Sequence, residues 1–286
     1  MEYLSLNNGT KMPAVGFGVY QIPREETVQA VLDALEIGYR KIDTAQSYRN
    51  EQEVGDAVRA SGLKREALYI TTKVWIDFYG YEAAKSSVLR SLEKLQTDYA
   101  DLVLLHQPFS DYYGAYRALI DLKKEGLVKS IGVSNFYPDR LSDIAAVGGE
   151  VPQVNQIEIN PFFTQRDAVE NMKKETVLAE SWGPFREGKD GIFENGTLTA
   201  IGKKYNKSVA QVILRWLYQR GISSNCKSVR KDRMRENFDI FDFALSEDDM
   251  NGIQGLDTGK SLFLDHRTPE AVALFKSFVQ SRRGKV

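Results

Sequence analysis

A (β/α)₈ barrel of the TIM type with an N-terminal β-hairpin is the fold this sequence predicts, on three observations. Short apolar runs alternate with stretches of helical spacing seven or eight times. No Pro-, Gly- or Ser-rich stretch marks a boundary between them. The length, 286 residues, suits one barrel, which typically takes ~250. A doubly wound parallel sheet is the alternative.

The hairpin comes first: Leu4-Ser5-Leu6, the turn signal Asn7-Asn8-Gly9, then Lys11-Met12-Pro13. Strands are expected at 14–18, 41–43, 68–72, 100–105, 130–133, 153–157 and 177–180. An eighth, 222–226, fits less well: Ser223-Ser224-Asn225-Cys226 is polar, whereas a barrel strand covered on both faces should be rich in Val and Ile. Such a strand is either short and edge-like or turns its side chains to a ligand at the mouth. Between the runs, Val28-Val31-Leu32-Leu35, Val54-Val58, Val88-Leu92-Leu95, Tyr116-Leu119-Ile120 and Val209-Val212-Ile213-Trp216-Leu217 carry one apolar stripe each. With no repeat and no low-complexity tract, the chain reads as a single domain, 1–286.

Composition narrows the partners. Lys plus Arg total 38 against 39 Asp plus Glu, a net charge of -1, which disfavours nucleic acid or an anionic membrane surface. The single cysteine, Cys226, cannot close an internal disulfide, and only His106 and His266 are available as imidazoles, so no multi-His metal centre is expected. Neither a secretory leader nor a membrane span is evident, and the expectation is a monomeric cytoplasmic protein.

Four polar residues fall at or just past the ends of three successive strands. Asp43 ends the second run and Tyr48 follows in its loop; Lys73 closes the third run and His106 the fourth. In a barrel these ends meet at one mouth. An ammonium group beside a phenol stabilises phenolate, which is expected to lower the tyrosine pKa from its usual ~10 and make it a general acid. Asp43 would balance the buried lysine, and His106 could hydrogen-bond a substrate oxygen. Each has an ordinary reading alone: a helix cap, a surface lysine, one of 14 tyrosines, a core histidine. Four together on adjacent strand ends are a rarer coincidence.

Lys227 and Arg233, with Arg230 and Lys231 between them, flank a turn into a helix, a setting suited to phosphate or to plain solvation. Gly16-Phe17-Gly18 is followed by Val19-Tyr20-Gln21, so the Rossmann fingerprint is absent.

The segments Asp43-Thr44-Ala45-Gln46-Ser47-Tyr48, Thr72-Lys73-Val74-Trp75, Leu104-Leu105-His106-Gln107-Pro108, Ile131-Gly132-Val133-Ser134-Asn135-Phe136, Asn155-Gln156-Ile157-Glu158 and Lys227-Ser228-Val229, in this order, resemble the signatures of the aldo-keto reductases. The resemblance runs from about Gly9 to Leu245 and is nearest to the bacterial diketogluconate, prostaglandin F synthase-like and glyoxal reductases. It implies NADPH-dependent reduction of aldehyde or ketone carbonyls, with Tyr48 as proton donor, Lys73 and Asp43 tuning it and His106 orienting the carbonyl. It further implies that Ser134, Asn135 and Gln156 hold the nicotinamide carboxamide and that Trp182 stacks on the ring. Lys227, Ser228 and Arg233 would meet the 2′-phosphate of NADP(H), and Glu236 and Asn237 the adenine. Val19, Tyr20, Asp43, Gly183, Phe185 and Val229 complete the cofactor contacts it implies. The substrate would lie against Tyr20, Tyr48, Trp75, His106 and Gln107, with Phe109 and the 262–266 segment as further wall. Gln107 replaces the tryptophan of many eukaryotic members, and Ser223–Cys226 stands where relatives have an apolar strand ending in Ile-Pro. His266 has no role assigned by the resemblance.

Two rivals make different demands. A Schiff-base lyase would use Lys73 as nucleophile and needs its pKa lowered. A catalytically weak NADP(H)-binding redox sensor would have no need of a tuned acid.

Overall fold

The computed structural model describes residues 1–283, with side chains to residue 280. Strands β1 (Tyr3–Ser5) and β2 (Lys11–Pro13) form an antiparallel hairpin. The barrel follows: β3 (Val15–Gly18), β4 (Lys41–Asp43), β5 (Tyr69–Val74), β6 (Ala100–Leu105), β7 (Val128–Ser134), β8 (Val154–Glu158), β9 (Leu178–Trp182) and β10 (Ser223–Cys226). Every neighbouring pair is parallel, and β10 closes on β3 through Ser224↔Val15. Around them run α1 (Arg24–Ile37), α2 (Glu51–Ala60), α3 (Tyr81–Leu95), α4 (Tyr112–Lys124), α5 (Pro138–Val147) and α6 (Arg166–Lys174). The rest are α7 (Gly196–Tyr205), α8 (Val209–Gln219), α9 (Lys231–Phe238), α10 (Glu247–Gln254) and α11 (Pro269–Arg283). No described helix is long and apolar enough to cross a membrane.

Side chains alternate across each strand, and this period of two sorts the whole molecule. Phe17, Ile42, Ile70, Val103, Leu105, Ile131, Val133 and Ile157 face outward and pack under the helices with Tyr116 and Trp216. Helix starts are fixed locally: Ser208 and Gln211 close a capping box on α8, and Asp111 accepts from Gly114 N at the start of α4. Leu102, Leu104, Val154 and Tyr69 face inward at the barrel floor, which Leu6 and Met12 of the hairpin segment plug. One layer higher, the same register turns Lys73, Asp43, Gln156 and Glu180 into the interior, all of them buried.

The polar eighth strand is neither an edge nor turned to the mouth at its start. All four of its residues are buried, and Ser223 Oγ meets the Lys41 ammonium and the carbonyls of Pro13 and Ala14 inside the barrel. Its polarity answers a buried charge, which an apolar strand could not do.

Candidate active site

Asp43, at the end of β4, and Lys73, one residue before the end of β5, meet inside the barrel from adjacent strands. Lys73 Nζ lies 2.5 Å from Asp43 Oδ1, 3.0 Å from Thr44 O and 3.2 Å from Tyr48 Oη. The short 3₁₀ turn Gln46–Tyr48 brings the phenol back over the ammonium. Gln46 ties this turn to the next strand: its Oε1 accepts from Trp75 N, and its Nε2 donates to Ser87 and Ser91. Because Lys73 donates to the phenol oxygen, the hydroxyl proton stays free for another acceptor. Tyr20 stacks obliquely on Tyr48 with centroids 4.9 Å apart.

His106 follows β6 with its backbone N–H on Val74 O. Trp75 and Tyr48 approach the imidazole edge-on, with centroids at 5.1 and 5.8 Å. Ser47 Oγ lies 3.4 Å from Nδ1, and this side of the ring, used as an acceptor, leaves the proton on Nε2. Phe109 and His266 line a cavity of about 410 Å³ together with Asn135, Tyr137, Arg140 and Arg267. Gln107 is buried, its backbone N–H and C=O both bound to the Tyr79 hydroxyl.

The electrostatics correct one expectation. The Tyr48 phenol is not made more acidic than usual but is pushed up to about 12. Burial raises it most; Lys73 pulls it down, and Asp43 pushes it up again. Burial, the largest single influence, would lower Lys73, but the charges of Asp43 and Tyr48 and the hydrogen bonds to both together carry it above its ordinary value. A lysine held as ammonium is no amine nucleophile, which removes the basis of the lyase reading. Burial, with Lys73 and His266 nearby, holds His106 well below the ordinary imidazole range, so the ring is neutral at pH ~7.

The His106 shift has a measurable consequence. The pH profile of kcat/KM is expected to be flat across the usual histidine range, near pH ~6.5. His266, held at about 4 by burial, behaves alike, so folded imidazoles stay uncharged where unfolded ones gain protons. Their shared stabilisation is therefore present above pH ~6.5 and lost as the pH falls below it. An activity step at pH ~6.5 that vanishes in His106→Gln would show a charged imidazole at work instead.

On the other side of the mouth, Ser134 Oγ donates to Gln156 O, and Asn135 Nδ2 donates to His106 O and Ser134 Oγ. Trp182, which ends β9, donates from Nε1 to Asn135 Oδ1 at 2.9 Å and packs on Phe263. Both Nδ2 hydrogens of Asn135 are thus committed, and Oδ1 keeps a second acceptor position beside the Trp182 bond for a carboxamide N–H. Gln156 Nε2 donates to both Asp43 Oδ2 and Glu180 Oε2 at 2.8 Å, which leaves Oε1 for a carboxamide N–H. Val19, Gly183 and Phe185 sit on the loops after β3 and β9. Glu158 pins the tail as a wall: its carboxylate accepts from Ser261 Oγ at 2.5 Å and from Leu262 N at 3.4 Å.

Past β10, Lys227 and Arg233 are exposed, and among the described residues neither has a carboxylate in ion-pair range. The wider basic cluster does not hold together. Arg230 is committed to Asp232, and Lys231 to Asp33 and Glu36. Ser228 Oγ accepts from Arg230 N, Val229 is exposed, and Glu236 and Asn237 lie on α9 with Asn237 buried. Asn225, two residues before Lys227, is buried with both amide atoms unpartnered. A buried orphan amide is costly unless something answers it, so the strand leading to the two unpaired cations fits a polar, phosphate-bearing cofactor.

Sequence reasoning missed Ser47, Gln46, Lys41 and Glu180. The signal for the last two was available: an inward-facing Lys and Glu in closed-barrel strands need one another.

A barrel whose mouth carries a lysine-backed phenol beside an uncharged imidazole has the parts needed to hand a proton to a substrate oxygen. The chain is a member of the aldo/keto reductase family, whose model matches residues 6–258. A glyoxal reductase of Bacillus subtilis is 43% identical over 257 residues, 89% of this chain and 92% of that one. A methylglyoxal reductase of Escherichia coli is 41% identical over 262 residues, 91% of this chain and 94% of that one. A crystallised aldo/keto reductase of Brucella melitensis superposes with a TM-score of 0.86 at 43% identity, covering 90% of this chain and 99% of its own. One from Bombyx mori, in complex with NADP, gives 0.88 at 33% identity, with 92% and 95% covered.

Proposed function

We infer that this chain is an NADPH-dependent reductase of aldehyde and ketone carbonyls, with Tyr48 as the proton donor. The observation that carries the reading is the Lys73 ammonium 3.2 Å from the Tyr48 oxygen, backed by Asp43. When bound, the reduced nicotinamide supplies the hydride to the carbonyl carbon. The chain supplies the rest. His106 Nε2–H and the Tyr48 hydroxyl take hold of the carbonyl oxygen, and Trp75 and Tyr20 wall the pocket. As the oxygen becomes an alkoxide, it takes the Tyr48 proton. A phenol near 12 still gives it up, because an alkoxide is a far stronger base than a phenolate. Lys73 stabilises the phenolate that forms, which is charge placed where it develops.

Gln156, Ser134 and Asn135 would hold the carboxamide and Trp182 the ring face. Asp43, Val19, Tyr20, Gly183 and Phe185 would lie along the rest of the nicotinamide half. Lys227, Ser228, Val229 and Arg233 would take the 2′-phosphate end, and Glu236 and Asn237 the adenine. The redox-sensor reading loses ground, since a buried phenol backed by an ammonium group and facing the mouth has no use in a sensor. One chain carries the complete set, so we take the working form to be a monomeric single domain. The buried free thiol of Cys226 suits the cytoplasm.

The test is a panel of carbonyl compounds assayed with NADPH and NADH, beginning with glyoxal and methylglyoxal, the compounds for which two relatives are named. Consumption of NADPH that depends on the carbonyl is expected; its absence across the panel would overturn the reading. Lys227→Ala is expected to weaken NADPH by about tenfold, the worth of one exposed charge-assisted bond, and to leave NADH unchanged. Equal losses for both cofactors would remove Lys227 from the phosphate.

A further inference from the structure

The proton-donor reading leaves one buried ion pair without a use. Lys41 Nζ lies 2.7 Å from Glu180 Oε1, and neither side chain reaches solvent. Desolvation makes a buried pair a poor source of stability, so its presence asks for another reason. The barrel is shaped around it. Gly16 faces the Lys41 stem, and a Cβ there would fall 2.2 Å from Lys41 Cε. Ser223 accepts a second bond from the ammonium group.

The other Glu180 oxygen accepts from Gln156 Nε2, which also donates to Asp43, and Asp43 holds Lys73 beside Tyr48. A continuous path therefore runs Ser223–Lys41–Glu180–Gln156–Asp43–Lys73–Tyr48, from the lower interior to the mouth. Along it two carboxylates and two ammonium groups balance. With both hydrogens of Gln156 Nε2 committed to carboxylates, the amide cannot turn over.

We propose that Lys41 and Glu180 are positioning residues for the Tyr48 proton donor: their pair fixes the net charge of the barrel interior and the sense of the Gln156 amide. This rests on Tyr48 being the donor. The charges agree with it: burial pushes Glu180 up, yet Lys41 and Gln156 hold it below the usual carboxylate range. Asp43 is pushed up by burial and by Glu180, against the pull of Lys73. Tyr69 also faces Glu180, and burial with that charge keeps its phenol protonated. Tyr20 and His106 are the remaining titratable neighbours of Tyr48.

The test is the pH profile of alcohol oxidation with NADP⁺, where Tyr48 must lose its proton before the rate is full. Above about pH 9 even a buried glutamate is ionised, so Lys41→Met leaves an uncompensated negative charge inside the barrel. The rising limb is expected to move up by about one pH unit, roughly a tenfold lower rate at a fixed pH on the limb. Glu180→Gln is expected to move it down, and Lys41→Met/Glu180→Gln to return it to the wild-type position. If only one single variant folds, its shift against the double variant reads the same coupling.

A limb that stays in place, single shifts of the same sign, or a double variant shifted like a single one overturns the proposal. So do two unfolded single variants with a wild-type profile in the double, which would make the pair structural. Tyr48→Phe separates the premises. An active Tyr48→Phe removes the donor itself, whereas an inactive one beside an unmoved Lys41→Met sinks only the role given to the buried pair.

Discussion

Replacing Tyr48 by phenylalanine is expected to lower carbonyl reduction by ~10²-fold or more while NADPH binding survives. The ring keeps its place. It is held by Tyr20 at 4.9 Å, by His106 at 5.8 Å and under the Lys73 ammonium at 4.8 Å, none of which needs the hydroxyl. Lys73 keeps Asp43 and Thr44 O as partners, so little stability should be lost. What disappears is the single proton that can reach the substrate oxygen, because the imidazole is a hydrogen-bond donor held neutral and poor at giving up a proton. The loss should therefore fall on kcat, with the cofactor dissociation constant, read by fluorescence quenching, near that of the wild type. Turnover near normal would remove the acid role from Tyr48. An equal fall in cofactor affinity would show that the hydroxyl works in binding instead.

The barrel was legible because its strands are short apolar runs between striped helices, and a closed parallel barrel demands both. The eighth strand was hardest to read for a physical reason. Ser223 is polar to meet Lys41, which stands two strands away around the barrel but 182 residues away in sequence. Lys41 and Glu180 fall at the ends of the expected strands 41–43 and 177–180, where a charge reads as a solvated terminus unless the inward register of both strands is followed through. Asp43, Tyr48, Lys73 and His106 stood out because residue type and strand end coincided. Their tuning did not. Sequence shows that an ammonium group stands near a phenol, but not how deeply the phenol is buried, and burial decided the direction for Tyr48. The basic turn shows the same limit: phosphate binding and plain solvation both suited it in sequence, and only the carboxylate partners of Arg230 and Lys231 set those two apart from Lys227 and Arg233.

Lys73→Met should be the most damaging substitution in the site, and its damage should depend on pH. Met fills much of the same volume without the charge, so the effect is electrostatic rather than one of packing. Asp43 then keeps only the Gln156 amide and shares it with a second carboxylate, Glu180. Breaking a buried pair by removing one partner costs about 3–5 kcal/mol. At roughly 2–4 °C per kcal/mol for a chain of this size, the apparent Tm should drop by on the order of 10 °C. The sign of the pH dependence follows from Asp43. Burial and Glu180 already push its carboxyl up, and without Lys73 nothing cationic pulls it back. A group whose folded pKa lies above its unfolded ~3.9 stabilises fully below that value and ceases to as the pH rises through the folded pKa. The deficit against wild type should thus be smallest in acid and widen toward neutrality, which thermal unfolding across pH reads directly. Lys73→Met/Asp43→Asn removes the stranded charge, so it should recover much of the Tm while turnover stays low, since the phenolate still lacks its cation. A deficit that does not vary with pH, or a double variant no more stable than the single, would place the cost in packing and take the charge pairing of Asp43 and Lys73 out of the account.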